Sequence, residues 1–133
     1  MKNQSNRKAD TLEDFLKALR SLKEAVTLPV QNQRDLAGII QNFEFTYELC
    51  WKCLKRVLED EGKETLSPKS AFRGAFEMGF IKDEDVWVQM IQDRNLTVHT
   101  YNEGLAKEIA TRIAKTYLGA FEKLAAGLKP KKK

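Results

Sequence analysis

No proline interrupts the chain between Pro29 and Pro68, and inside that interval apolar residues recur at three- and four-residue steps: Leu36, Ile39, Ile40, Phe43, Tyr47, Cys50, Trp51, Leu54, Val57 and Leu58. That spacing predicts one long helix over 34–61. A second, polar stripe runs through Glu44, Glu48, Lys52 and Lys55, where Glu48 and Lys52 form a favourable i,i+4 pair. A helix with so broad an apolar stripe must be covered by other helices, so this segment alone commits the chain to a bundle. Phe45 and Leu49 fall off the main stripe. At about 100° per residue Phe45 points roughly opposite Leu36, which is expected of a helix that is either central or shared with a partner, and in a small bundle the partner is favoured.

The remaining segments supply the cover. Leu12, Phe15, Leu16, Leu19, Leu22 and Val26 predict a helix over 11–28, with Thr11 and Asp14 as its capping pair and Pro29 as its stop. Gly62 is expected to end the long helix. Ser67-Pro68 reads as an N-cap followed by a first-turn proline, opening a short helix that carries Ala71, Phe72, Ala75 and Phe76 and ends at Gly79. Asp83 is expected to cap a fourth helix with Val86, Trp87, Met90 and Ile91 facing inward. A last helix over 103–126 carries Leu105, Ile109, Ile113, Tyr117, Phe121 and Leu124, closed by Gly127 and Pro130. No stretch alternates with a two-residue period. The expected fold is all-α: an antiparallel up-and-down bundle of four main helices plus a short one, spanning 11–128, between a flexible N-terminus (1–10) and a lysine-rich tail (129–133).

Charge excludes a broad duplex-binding surface. The excess of 23 Lys and Arg over 19 Asp and Glu is the same size as the group Lys129, Lys131, Lys132 and Lys133 at the end, so the body of the chain is neutral. No apolar run approaches the ~20 residues of a membrane span, and no signal peptide is read at the start, so a cytoplasmic location without membrane association is expected. Cys50 and Cys53 form a C-x-x-C in mid-helix. A zinc site takes about four ligands, more than this pair and one histidine supply, so the cysteines read as small packing residues. No metal and no cofactor are expected.

That histidine, His99, lies in "DRNLTVHTYNE" (93–103). Continuing the inward positions Trp87, Met90 and Ile91 leads to Arg94. An inward arginine is costly unless an anion meets it, either an internal carboxylate or a bound phosphate. On an unbroken helix His99 would lie about 140° from Arg94. Asn95, Thr97, Val98 and Thr100 are weak helix formers, so a break is expected here that turns His99 toward Arg94. The alternatives are a capping or packing histidine and an arginine paired with an acid of a neighbouring helix.

The run R-N-x-x-x-H-x-Y resembles the Arg-x4-His-x-Tyr signature of HEPN domains. "QNFEFTYELCWKCLK" (41–55), "SPKSAFRGAFEMGFI" (67–81) and "VWVQMIQDRNLTVHTYNE" (86–103) resemble the blocks of the nucleotidyltransferase substrate-binding subfamily, encoded beside minimal nucleotidyltransferases. The resemblance implies a metal-independent endoribonuclease toxin neutralised by a minimal nucleotidyltransferase (MNT) antitoxin. Arg94 and His99 would be catalytic, Arg94, Asn95 and Tyr101 would bind substrate or phosphate, and Tyr101 would accept AMP from the antitoxin. One imidazole per chain cannot serve as both acid and base on opposite sides of a phosphate, so a homodimer is expected to contribute two. A non-catalytic subunit that binds a nucleotide or substrate for a two-component nucleotidyltransferase remains the alternative, with an assembly scaffold as a third.

Overall fold

The computed structural model describes residues 4–129, with side chains from Asp10 onward. All regular elements among these residues are helical: α1 (Gln4–Thr27), α2 (Gln33–Asp60), α3 (Pro68–Glu77), α4 (Glu84–Leu96), a 3₁₀ turn (Thr97–His99), α5 (Glu103–Arg112), a π-helical turn (Ile113–Tyr117) and α6 (Leu118–Leu128). The last three form one continuous rod. The expected bundle of four main helices and a short one is therefore present. No helix among the described residues is long and apolar enough to cross a membrane.

Chain direction follows from contacts. α1 and α2 form an antiparallel hairpin, with the Thr46 hydroxyl donating to the Ala18 carbonyl (3.2 Å) and to its own helix at Asn42 (2.7 Å). The α5–α6 rod runs alongside α2 in the same direction. Gln33 donates to Glu103 (3.3 Å) where both helices begin, and Phe43 stacks on Tyr117 further along. α4 runs against the rod, so Trp87 meets Phe121 while Asp93 meets Arg112. Seven aromatic rings link these elements through the core: Phe15, Phe43, Tyr47, Phe72, Trp87, Tyr117 and Phe121, with centroids 4.8–6.2 Å apart. Cys50 and Cys53 are buried free thiols inside this core, and burial pushes the Cys50 thiol pKa up.

The helix ends follow local chemistry. The Ser67 side chain accepts from the Ser70 N–H (3.2 Å), and Ser70 returns the contact, so Ser67-Pro68 starts α3 as expected. Gly62 (φ 78°) and Gly79 (φ 83°) take the left-handed conformation just past α2 and α3. The Lys63 and Phe80 N–H groups reach back to Leu58 and Ala75, closing each end. Two boundaries need correction. α1 begins at Gln4, so the expected start at Thr11 is overturned, and residues 4–10 of the expected flexible segment are helical. Residues 1–3 lie outside the described residues. α6 continues through Gly127 to Leu128, and Pro130 and the lysines after it also lie outside.

The π turn explains a peculiarity of the last helix. Apolar residues recurring strictly every four positions drift by about 40° per step on an ideal α-helix. Ile109, Ile113, Tyr117 and Phe121 are nevertheless all fully buried. The i→i+5 closure from Leu118 N–H to the Ile113 carbonyl takes in extra backbone and winds back the drift.

Candidate functional site

α4 ends where the weak helix formers begin, at Leu96, and tightens into the 3₁₀ turn Thr97–His99 before Asn102 caps α5 by accepting from the Leu105 N–H (3.1 Å). The expected break is present, but among the described residues it pairs His99 with Tyr101 and not with Arg94. Its inward residue differs from expectation: Asp93 is buried and Arg94 is half-buried to one side. Arg94 lies 3.4 Å from Glu44 of α2 and donates to the Thr97 hydroxyl at 3.0 Å. That hydroxyl donates in turn to the Arg94 carbonyl (2.6 Å), which places Thr97 as a buried brace inside the break. Glu44 is the carboxylate that meets the arginine. Arg94 also neighbours Tyr47, whose hydroxyl burial pushes up to about 12 while the arginine charge opposes the shift.

His99 and Tyr101 are both exposed, Tyr101 at 85%. The Tyr101 hydroxyl lies 3.4 Å from His99 Nδ1 and the rings meet edge to face at 5.9 Å. Asn95 is exposed on α4. The structure thus pairs His99 with Tyr101 and Arg94 with Glu44 and Thr97. Among the described residues no hydrogen bond or ion pair joins Arg94 to His99. A hollow of about 180 Å³ between the starts of α2 and α5, walled by Leu36, Ile40 and Ala106, opens beside Tyr101. Among the described residues no cluster of His, Cys, Asp or Glu has the makings of a metal site.

Asp93 is not among the residues expected at this site. Arg112 grips it with Nε on Oδ2 (2.6 Å) and Nη2 on Oδ1 (2.9 Å), and the buried Tyr117 hydroxyl donates to Oδ2 as well. These bonds raise the Arg112 pKa, and burial followed by the Asp93 bond raises that of Tyr117. The local signal was ambiguous, because Asp93 is three residues after Met90 and Arg94 is four, and both spacings suit an inward position.

The chain is thus an all-helical bundle with Arg94, His99 and Tyr101 at and just beyond the end of α4. Residues 10–130 match the family described as nucleotidyltransferase substrate binding protein like, and the chain belongs to that family. Over 83 residues it is 37% identical to a probable ribonuclease HepT of Haemophilus influenzae, a match covering 59% of this chain and 57% of that protein, so it spans little more than half of the curated relative. HI0074 of Haemophilus influenzae, solved as the fold of a substrate binding domain of a nucleotidyltransferase, is 30% identical with a TM-score of 0.79, over 90% of this chain and 99% of that one. A tri-AMPylated HEPN toxin of Shewanella oneidensis, solved in complex with its MNT antitoxin, shares the fold at 17% identity and a TM-score of 0.73, over 95% of this chain and 96% of that one.

Proposed function

We propose that this chain is the toxin of a two-component module: a cytoplasmic, metal-independent endoribonuclease that works as a homodimer and is neutralised by a minimal nucleotidyltransferase. The observation that carries the reading is the edge formed by the end of α4 and its 3₁₀ turn, which holds a braced guanidinium (Arg94) and, five residues on, a solvent-facing imidazole (His99). In the reaction the ribose 2′-OH attacks the adjacent phosphorus, one His99 takes the hydroxyl proton, and the P–O5′ bond breaks. The His99 of the second copy protonates the departing 5′-oxygen, leaving a 2′,3′-cyclic phosphate. Arg94 offers paired guanidinium donors to the phosphorane oxygens. Substrate phosphate competes with Glu44 for that guanidinium, and Asn95 lends a further donor.

The need for two imidazoles calls for a second copy, and the exposed apolar residues beside the edge are suited to receive one. Phe45 follows Glu44 and is 57% exposed, and Leu96 and Val98 flank Thr97. Tyr101 is the acceptor for AMP. Its side chain is exposed, and a hollow of about 180 Å³ adjoins it. An AMP group there adds a negative phosphodiester beside His99 and obstructs RNA. Incubation with the cognate transferase and ATP is expected to add AMP to Tyr101 and to leave Tyr101→Phe unchanged in mass.

A second reading, a nucleotide-binding subunit that presents substrate to the transferase, draws support from the family description and from the solved HI0074. Incubating the purified protein with RNA in EDTA separates the two. Fragments ending in 2′,3′-cyclic phosphate support the toxin reading. Intact RNA together with calorimetric binding of nucleotide supports the other.

A further inference from the structure

Trp87, Met90 and Asp93 are the buried residues of α4. Its final turn therefore has no buried apolar side chain to set its rotation, and the one residue that enters the interior there is a carboxylate. We infer that Asp93, clamped by Arg112 and Tyr117, is a positioning residue for Arg94: the clamp locks the last turn of α4 against the α5–α6 rod and thereby delivers the next side chain to Glu44 and Thr97. The inference rests on the assignment of Arg94 to the phosphate site.

Three observations support it. First, the contact is directional. Two parallel guanidinium bonds and a phenolic bond converge on one carboxylate, a fork geometry that fixes orientation as well as distance. Successive residues on an α-helix point about 100° apart, so holding Asp93 toward the rod turns Arg94 away from it, to the side where α2 presents Glu44.

Second, the rod is deformed in the segment that forms the clamp. Arg112 and Tyr117 are five residues apart, about 140° apart on a regular α-helix. The π turn over Ile113–Tyr117 brings both onto the same carboxylate. π turns are rare and frequently lie at functional sites.

Third, the energetics favour a role in direction. A buried ion pair stabilises a fold little or not at all relative to apolar residues of the same volume. Leucine, methionine and phenylalanine at these three positions would fill the same space without the cost of desolvating the Asp93 carboxylate.

The test is the triple variant Asp93→Leu, Arg112→Met, Tyr117→Phe, which removes the clamp and leaves no buried charge behind. Two readouts are taken: the Arg94 side-chain Nε–H resonance, and kcat and KM for RNA. The expected result is a cooperatively folded protein in which that resonance moves to the position of a free arginine. kcat falls about 100-fold, the scale of a roughly 1 Å misplacement, with little change in KM. A folded triple variant with the wild-type resonance overturns the inference. If the wild type cleaves no RNA, the ribonuclease reading fails by itself and the resonance still decides this one. If the triple variant does not fold, Tyr117→Phe alone removes one of the three bonds. A partial shift of the Arg94 resonance then supports the clamp, and none at all overturns it.

Discussion

Asp93 and Arg94 are neighbours in the chain and opposites in the fold. Asp93 is sealed in the interior with three bonds from Arg112 and Tyr117. Arg94 sits half in solvent, braced by Thr97 and facing Glu44 across 3.4 Å. Two charges of opposite sign, one residue apart, thus meet different dielectric surroundings. The buried charge is costly to leave alone, because nothing else can solvate it. The half-exposed one is held loosely enough for another anion to take the place of Glu44. The contrast teaches a division of labour: the interior cluster sets where the helix end points, and the open edge keeps a cation and an imidazole available.

Several substitutions break or sharpen that contrast. Arg112→Met leaves the buried Asp93 carboxylate without its guanidinium, and a loss of about 3–5 kcal/mol is expected in urea unfolding. A loss no larger than that of a surface pair would erase the distinction between the two sites. Tyr117→Phe removes one bond to a buried charge and is expected to cost about 1.5–3 kcal/mol by the same measurement.

Alkaline titration tests the same interior. Tyr47 and Tyr117 both have folded pKa values above the ordinary tyrosine value, Tyr47 at about 12. Between pH 10 and 12 the unfolded chain therefore holds fewer protons than the folded one. Stability should be complete below pH 10 and fall as pH rises through that window. Urea midpoints at pH 9, 10 and 11 should show the decline, and Tyr47→Phe with Tyr117→Phe should flatten it. The smallest effect is expected at the edge: Arg94→Ala should lower stability by no more than about 1 kcal/mol, because its pair with Glu44 is partly exposed.

Much of this was legible from local pattern. The α2 stripe, the Ser67-Pro68 start, the glycine stops at 62 and 79 and the break after Leu96 each depend on residues close together in sequence. The start of α1 was not legible, because residues 4–10 carry no apolar periodicity and a helix extended by polar residues leaves no stripe to read. Asp93 escaped for a different reason: its partners are 19 and 24 residues away and converge only through a π turn. The strict four-residue recurrence through Ile109, Ile113, Tyr117 and Phe121 was the one trace of that turn. The candidate site residues were named by a single short motif. What the motif could not give is that Thr97 braces Arg94, that Glu44 faces it, and that His99 is paired with Tyr101.

The most direct measurement is the rate of RNA cleavage in EDTA by Arg94→Ala and His99→Ala, each verified by its unfolding midpoint. A fall of about 100-fold or more at nearly unchanged stability is expected for both. Cleavage by either folded variant at the wild-type rate would contradict the assignment of chemistry to this edge.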